Sequence, residues 1–191
     1  MGILKKIIVI LSITIFLLSA CGNKYEGDIS IPVEPFTFTN QNGESFDSSE
    51  LEGKFWVADM IFTNCETVCP PMTSNLVRLQ NKLDNEGLDV EIVSFTVDPE
   101  NDTPELLKQY VEDRGGHFDN WNLLTGYEFD EIKEFAVKSF KAIVEKDPES
   151  DQFIHVTRFY LVSPEGNAIM RYDGTQAAEM DDIVADIKKM N

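Results

Sequence analysis

The sequence predicts an α/β fold with a central mixed sheet, helices on both faces and an N-terminal hairpin. Apolar runs at residues 55–62 and 90–97 have the length and the β-branched and aromatic content of buried strands, and a helical pattern follows each of them. Strand–helix–strand units imply parallel strands joined by right-handed crossovers. The chain ends with strand, strand and helix, which adds an antiparallel edge to the sheet.

A hairpin is predicted ahead of the first core strand. Residues 36–39 alternate apolar and polar side chains, Asn42-Gly43 is typical of a tight turn, and Ser45 and Phe46 begin the return. Residues 51–54 then lead into the strand at 55–62.

Two cysteines, Cys65 and Cys69, follow that strand directly and precede a helical pattern. The apolar residues of this pattern fall on one helix face: Met72, Leu76, Leu79 and Leu83. Pro70 and Pro71 suit a first helical turn, where a missing N–H costs nothing. The cysteines therefore lie at a strand-to-helix turn near a helix N-terminus, where the dipole and free N–H groups favour thiolate over thiol.

Further helices and strands follow in order. Gly87 marks the end of the first helix, and Thr103 with Pro104 has the capping residue and the proline that open the next one. Residues 121–124 predict a short strand. A further helix is indicated by Phe129, Ile132, Phe135 and Ala136.

The C-terminal part begins with a polar, acidic loop at residues 146–151. Residues 153–162 predict one strand, residues 164–167 a turn, and residues 168–172 an antiparallel return. The last helix is indicated by Met180, Ile183, Val184 and Ile187.

Length and charge restrict the class of protein. The 191 residues suffice for one domain with a core, and 16 basic against 34 acidic residues give a net charge of −18, which argues against nucleic-acid binding. Lys5 and Lys6 precede an apolar run, and residues 18–21 (Leu-Ser-Ala-Cys) end it like a bacterial lipoprotein signal with Cys21 as the lipidated residue. We therefore expect a signal peptide at 1–20, a tether at 21–33 and a folded domain at 34–191, held on the extracytoplasmic face of the membrane.

With Cys21 assigned to the lipid, Cys65 and Cys69 are the only pair in the folded domain. Side chains four residues apart are neighbours on a helical turn, so the spacing allows either a disulfide or one shared metal ion. A structural disulfide, a redox-active disulfide and a metal site all remain open on spacing alone. In an oxidising compartment the pair can cycle between thiol and disulfide.

The third site residue comes from two histidines. His117 lies in a glycine loop and is expected to be solvated, whereas His155 lies where the acidic loop meets the strand. The element order resembles the thioredoxin fold, and this resemblance implies that the acidic loop faces the cysteine turn across the end of the sheet. Two thiolates and one imidazole suit copper, with zinc as the rival. Without a further Cys or His nearby the site is open, which suits a metal that is passed on. Met72 is an additional soft donor, but its helical spacing favours core packing.

The element order, with paired cysteines after the first core strand, resembles the thioredoxin fold. Three motifs further resemble the Sco proteins (synthesis of cytochrome c oxidase). They are Thr63-x-Cys65-x-x-x-Cys69-Pro70, residues 97–99 (Val-Asp-Pro) with residues 102–104 (Asp-Thr-Pro), and His155-x-x-x-Phe159-Tyr160-Leu161 with Pro164 and Gly166. The resemblance covers about residues 34–190. Many relatives have Pro where this chain has Glu66.

This resemblance implies copper bound by Cys65, Cys69 and His155, Asp98 near the site, and a metallochaperone role at the copper-A centre of cytochrome c oxidase. It leaves the copper donor unidentified. The alternative is a membrane-tethered thiol–disulfide oxidoreductase that reduces the copper-site cysteines of an oxidase subunit, so enzymatic activity stays an open question, with the copper chaperone preferred.

Two observations weaken other enzyme classes on the same fold. Thioredoxin-type enzymes use a shorter Cys-x-x-Cys spacing and a Pro facing it, and residues 153–162 contain no Pro. A thiol peroxidase needs Thr three places before its reactive Cys, where this chain has Phe62 or Glu66. A copper sensor that transfers nothing remains compatible with the sequence.

Overall fold

The computed structural model describes residues 25–191. The chain forms ten strands over that range: β1 (Ile31–Pro32), β2 (Thr37–Thr39), β3 (Ser45–Asp47), β4 (Phe55–Ile61), β5 (Val90–Thr96), β6 (Trp121–Leu124), β7 (Val144–Lys146), β8 (Phe153–His155), β9 (Arg158–Val162) and β10 (Asn167–Asp173). The helices are α1 (Cys69–Glu86), α2 (Pro104–Glu112), α3 (Phe129–Phe140) and α4 (Glu179–Met190), and a 3₁₀ turn covers Ser48–Leu51.

Six strands form the central sheet in the order β1-β10-β9-β4-β5-β6. The β4, β5 and β6 strands run parallel, whereas β9 is antiparallel to β4, β10 to β9 and β1 to β10. The predicted mixed sheet with an antiparallel edge is therefore confirmed. Every residue of β4 is buried because this strand lies in the middle of the sheet with layers on both sides.

Aromatic side chains form the core on one face of the sheet. Phe36 beside the hairpin β2–β3 and Phe135 of α3 pack against Phe95 of β5, with ring centroids 5.3 and 5.1 Å from it. Tyr160 of β9 contacts Phe140 of α3 on the same face. This layer accounts for the predicted N-terminal hairpin, which covers the sheet on that side.

Helix α1 covers the opposite face. Phe159 neighbours Tyr160 in β9 and so points the other way, and Gly174 lies between the side chains of Phe159 and Met72. The four apolar residues predicted for the inner face of this helix are fully buried: Met72, Leu76, Leu79 and Leu83. Helix α4 packs beside α1, so helices lie on both faces as predicted.

The predicted helix ends are also present. Gly87 follows α1 in the left-handed conformation with φ of 64°, which glycine adopts without strain. Thr103 caps α2, where its side-chain oxygen accepts the Leu106 backbone N–H at 3.3 Å and Pro104 occupies the first turn.

The prediction of one strand over residues 153–162 is wrong. The chain forms β8 and β9 separately, because Val156 and Thr157 leave the sheet ladder between them. The Thr157 carbonyl instead accepts the Gly174 N–H at 2.9 Å. Strand β8 pairs with β7 in a separate two-stranded hairpin, so His155 lies outside the central sheet.

The segment before the hairpin β2–β3 contacts the domain. Strand β1 lies within the segment predicted as a tether and pairs with β10, and the Ile29 N–H donates to the Ile169 carbonyl at 3.0 Å. The predicted signal peptide and Cys21 fall outside the described residues. No helix within residues 25–191 is long and apolar enough to cross a membrane.

Candidate metal centre

The two cysteines lie where β4 ends and α1 begins. Cys65 is in the connecting loop, where its N–H donates to the Phe62 carbonyl at 3.3 Å, and Cys69 is the first residue of α1. The Cys69 backbone N–H donates to the Cys65 Sγ atom at 3.3 Å. The Cys65 sulfur therefore accepts one of the N–H groups that a helix start leaves without an intrahelical partner.

The buried carboxylate of Asp102 fixes the loop that carries Cys65. Its oxygens accept the Thr63 backbone N–H at 3.2 Å and the Thr63 hydroxyl at 2.5 Å, and it also accepts the Thr96 hydroxyl from the end of β5. Asp102 is only 1% exposed. Burial raises the pKa of this carboxyl, while the hydrogen bonds from the threonines oppose that shift. The loop is held by a network inside the protein rather than by surface contacts.

The imidazole of His155 approaches the cysteines from the hairpin β7–β8. Its Nε2 atom lies 3.2 Å from the Cys69 Sγ atom, and its Nδ1 atom lies 3.0 Å from the Val156 carbonyl oxygen. Because a carbonyl only accepts, Nδ1 carries a proton and donates to it, and Nε2 is the ring atom that faces the sulfur. The ring also packs edge-on against Phe62, with centroids 5.8 Å apart.

Few contacts tie this hairpin to the cysteine loop. The Asn64 side-chain amide donates to the Asp151 carboxylate at 2.9 Å, and the Gln152 amide donates to the Asn64 carbonyl at 3.0 Å. Phe153 packs on Phe62 with ring centroids 5.3 Å apart. These contacts place the His155 ring over the cysteine pair.

The two thiols differ in exposure and acidity. Cys65 is 7% exposed and Cys69 is fully buried. A hydrogen bond from the Cys69 side chain holds the pKa of the Cys65 thiol well below its usual range, with smaller contributions from His155 and the Cys69 backbone N–H. That hydrogen bond, with burial, raises the pKa of the Cys69 thiol. These two shifts favour the thiolate at Cys65 and the thiol at Cys69 in the metal-free reduced pair.

The three donors fit a single metal ion. The sulfur atoms of Cys65 and Cys69 and a ring nitrogen of His155 all lie within 4.8 Å of one another. Two sulfurs bound at about 2.3 Å from one ion lie at most about 4.6 Å apart, so small movements suffice. Within residues 25–191, no other group of three His, Cys, Asp or Glu donors is close enough to hold a metal.

The structure separates these residues from the other sequence candidates. His117 is partly exposed and lies 3.0 Å from an Asp84 carboxylate oxygen, away from the cysteines. Met72 is buried in the core, as its spacing indicated. Asp98 lies at the end of β5, where its carboxylate accepts the Asn101 side-chain amide at 2.9 Å, and burial raises its pKa. Asp98 also lines a small cavity with Phe153, next to the hairpin that carries His155.

Sequence reasoning missed three groups that shape the site. The contacts of Asn64 and Asp151 leave no pattern in the chain, since 87 residues separate the two partners. Asp59 lies in the middle of the most buried strand, and a charged residue inside an apolar run was the one available signal for it.

Comparisons with known proteins agree with this geometry. The SCO1/SenC family model matches residues 27–191. The SCO1 protein homolog of Bacillus subtilis is 49% identical over 176 residues, which cover 92% of this chain and 91% of the homolog.

Solved structures resemble the chain over most of its length. BsSco, described with a disulfide switch and as a member of the Sco family of cytochrome c oxidase assembly proteins, superposes with a TM-score of 0.79 at 50% identity over 87% of this chain and 97% of BsSco. Arabidopsis thaliana ScoI with copper bound gives a TM-score of 0.70 at 28% identity over 82% of this chain and 98% of ScoI. These neighbours have a thioredoxin-like fold, which confirms the fold predicted for this chain. The chain belongs to the SCO1/SenC family.

Proposed function

We propose that this protein is a copper-binding metallochaperone for the copper-A centre of cytochrome c oxidase, with a redox-active pair Cys65–Cys69. The observation that carries the proposal is the meeting, within 4.8 Å, of two sulfurs from the cysteine turn and one imidazole from the hairpin β7–β8. A soft, three-donor set of this kind favours copper.

Copper is preferred over zinc for two reasons. Structural zinc sites are closed by four protein ligands, and Cys65, Cys69 and His155 supply three among the described residues. A related Sco protein of Arabidopsis has been solved with copper bound. Three protein ligands leave one coordination position of the copper ion open for a ligand atom of the receiving protein, which suits transfer.

A membrane location follows from the N-terminal sequence. Residues 18–21 end an apolar run with the cysteine pattern of a lipoprotein signal, so Cys21 is the proposed site of lipid attachment on the extracytoplasmic side. That position would allow contact with a membrane-anchored oxidase subunit. Cys21→Ala should abolish lipid attachment without changing copper binding, and a mature N-terminus elsewhere than Cys21 in mass spectrometry would contradict this proposal.

A copper titration of the purified, fully reduced protein tests the site. We expect one copper ion per chain and, for Cu(II), an intense thiolate-to-copper absorption band that Cys65→Ala and Cys69→Ala each remove. The oxidised protein should lose copper, because ligation requires thiolates. Full-strength absorption in either cysteine variant would contradict the proposed ligands.

A gene deletion tests the role in assembly. Loss of the protein should impair cytochrome c oxidase under copper limitation and spare quinol oxidases that lack a copper-A centre. A Cys65→Ser, Cys69→Ser double variant should not restore the activity, whereas added copper should restore part of it. Normal oxidase activity in the deletion strain at limiting copper would refute the proposal.

The second candidate function is reduction of a disulfide in the copper-receiving subunit. The lowered pKa of Cys65, which is 7% exposed and lies beside a fully buried Cys69, favours it. The Cys65 thiolate would attack the partner disulfide and release one partner thiolate. Cys69 would then lose its proton, attack the Cys65 sulfur and release the second partner thiolate. Rescue of the deletion strain by a reductant and never by copper would favour this candidate.

A further inference from the structure

Asp59 is a fully buried carboxyl group in the middle of β4. One of its oxygens, Oδ1, accepts the Ser94 hydroxyl from the neighbouring strand β5 at 2.5 Å. Ser94 in turn accepts the indole N–H of Trp121 from β6 at 2.9 Å. The second oxygen, Oδ2, has no hydrogen-bond partner. A half-satisfied buried carboxyl group is rare in folded proteins and calls for an explanation.

Folding alone does not explain this residue. Val57 and Ile61 point to the same face of β4 and are buried apolar side chains, so the packing there accepts hydrocarbon. Burial penalises the charged form and raises the pKa of Asp59 to about 7, with the Ser94 hydrogen bond opposing the shift. Asp59 therefore changes charge near neutral pH inside the protein.

Asp59 lies on the face of β4 that α1 covers, because its neighbour Ala58 pairs with Tyr160, whose ring packs against α3 on the other face. The carboxyl group is therefore on the side of the sheet where α1 begins at Cys69.

The groups that interact electrostatically with Asp59 belong to the metal centre. The charge of Asp59 contributes to the raised pKa of Cys69, at the start of α1. His155, from β8, favours the charged form of the Asp59 carboxyl group and so lowers its pKa. From β5, the Ser94 hydroxyl donates to Asp59, and from β6 the Trp121 indole N–H donates to that hydroxyl. Both of these groups are neutral. The charge on Asp59 is thus coupled to two of the three proposed copper ligands.

We propose that Asp59 is a positioning residue that sets which copper oxidation state the Cys65–Cys69–His155 site holds more tightly. This inference rests on the proposed copper site. Cu(I) with two thiolates and a neutral imidazole carries a net charge of −1, whereas Cu(II) with the same ligands is neutral. An ionised Asp59 beneath the site repels the first complex more than the second, so it shifts the preference toward Cu(II).

The same charge acts on the metal-free cysteine pair. Reduction of the disulfide adds two electrons, and each sulfur that stays unprotonated adds one negative charge. The reduced pair is therefore more negative than the neutral disulfide wherever a thiolate remains. An ionised Asp59 disfavours the more negative reduced pair and stabilises the disulfide. Removal of the charge should therefore favour both Cu(I) and the dithiol.

Asp59→Asn tests the inference, with Glu66→Gln as the matched control. Glu66 is an exposed carboxylate beside Cys65, where water and salt screen its charge. By competition titration above pH 7, Asp59→Asn should raise the ratio of Cu(I) affinity to Cu(II) affinity by about tenfold or more, because the two complexes differ by one charge. Glu66→Gln should change this ratio by less than about twofold. Below pH 6 the difference between Asp59→Asn and wild type should shrink, because Asp59 is then protonated in the wild type.

A metal-free measurement separates this inference from the proposed function. In equilibrium with dithiothreitol, which supplies the two electrons, Asp59→Asn should shift the cysteine pair severalfold toward the dithiol above pH 7. Ser94→Ala keeps the carboxyl group and removes its donor, which lowers the ionised fraction at neutral pH. It should move the ratio of Cu(I) affinity to Cu(II) affinity in the same direction by a smaller factor, and it serves as the second variant if Asp59→Asn folds poorly.

Two results would overturn the role of Asp59. One is an equal change in Cu(I) and Cu(II) affinity, or no change in either, in a folded Asp59→Asn protein. The other is a dithiothreitol equilibrium that matches the wild type across the pH range. Absence of copper binding by the wild type would instead refute the proposed function, and the dithiothreitol equilibrium would still decide the role of Asp59.

Discussion

The sulfur ligands and the nitrogen ligand of the site are held in different ways. Cys65 and Cys69 lie on a loop and a helix start that Asp102 anchors from inside the protein. His155 lies on the hairpin β7–β8, which is separate from the central sheet, and Ile154 beside it is 61% exposed. Local stability follows the density of buried contacts. The cysteine side should therefore stay fixed while the histidine side opens more readily.

This difference matters for a site that takes up and releases a metal. Cu(I) can remain on two sulfurs, while Cu(II) requires the nitrogen ligand as well. A movable histidine next to a fixed dithiol would let the hairpin open without disturbing the sulfurs. The predictions below test this contrast, beginning with the largest expected effect.

The first prediction concerns the pH dependence of the buried half of the site. The folded-state pKa of Asp59 is raised to about 7 from an ordinary value of 3.8, so the folded protein binds the proton more tightly than the unfolded chain. Stability should therefore be unaffected by this group below pH 4 and should fall as the pH rises toward 7, by up to about 4 kcal/mol. Denaturant unfolding of wild type and Asp59→Asn across that range isolates this contribution as the difference between the two curves. Parallel curves would contradict it.

The second prediction concerns the anchor of the cysteine loop. Asp102→Ala leaves the Thr63 N–H, the Thr63 hydroxyl and the Thr96 hydroxyl without their acceptor, which should lower the free energy of unfolding by about 3 kcal/mol. Affinity for Cu(I) and for Cu(II) should fall together, because both depend on the placement of the sulfurs. Chemical denaturation and copper titration measure the two effects.

Asp151→Ala is the matched control for that variant, since Asp151 is an exposed carboxylate that contacts the same loop. It should cost less than about 0.5 kcal/mol. Equal losses of stability in the two variants would show that the cysteine loop is not anchored from the interior.

The third prediction separates the nitrogen ligand from the sulfurs. His155→Ala should weaken Cu(II) by about hundredfold or more and Cu(I) by far less, because Cu(I) keeps both thiolates. The unfolding free energy should change by less than about 1 kcal/mol, since His155 lies on a peripheral hairpin. His117→Ala, in the distant loop beside Asp84, should leave both affinities unchanged. Equal losses from the two substitutions in a copper titration would show that the third ligand is misassigned.

The sequence predicts the cysteine half of the site better than the histidine half, for a physical reason. Local signals define the first half: an apolar run, a Cys-x-x-x-Cys-Pro-Pro turn and a helical stripe from Met72 to Leu83. The second half depends on which strand pairs with β8. Residues 153–162 are rich in β-branched and aromatic side chains and predict one strand, and such a pattern contains no information about a partner such as β7.

The structural roles of Asp59 and Asp102 escaped prediction for the same reason, although Asp102 stands in one of the Sco motifs. Both are acidic residues whose importance comes from burial and from donors distant in sequence: Asp59 bonds to Ser94, and Asp102 bonds to Thr63. His155 was identified because histidines are scarce and because the Sco motif contains it. The role of a buried carboxyl group became visible only from its three-dimensional surroundings.

The last prediction concerns the link between the two halves. Asn64→Ala removes the hydrogen bond from the Asn64 amide to Asp151, whereas the bond from Gln152 to the Asn64 backbone carbonyl remains. Because an exposed hydrogen bond contributes little net free energy, global stability should change by less than about 0.5 kcal/mol. The hairpin should nevertheless open more often, so amide hydrogen exchange in β7 and β8 should accelerate severalfold while exchange in β4 stays unchanged.

Copper affinity should report the same opening in the Asn64→Ala protein. If the hairpin opens without disturbing the sulfurs, Cu(II) affinity should fall a few-fold, because Cu(II) needs the nitrogen of His155. Cu(I) affinity should stay unchanged. Asn81→Ala, which removes an exposed amide on α1 that bonds only within its own helix, controls for the loss of an asparagine. Faster exchange in β4 together with the hairpin, or a matching loss of Cu(I) and Cu(II) affinity, would mean that the two halves of the site open as one unit.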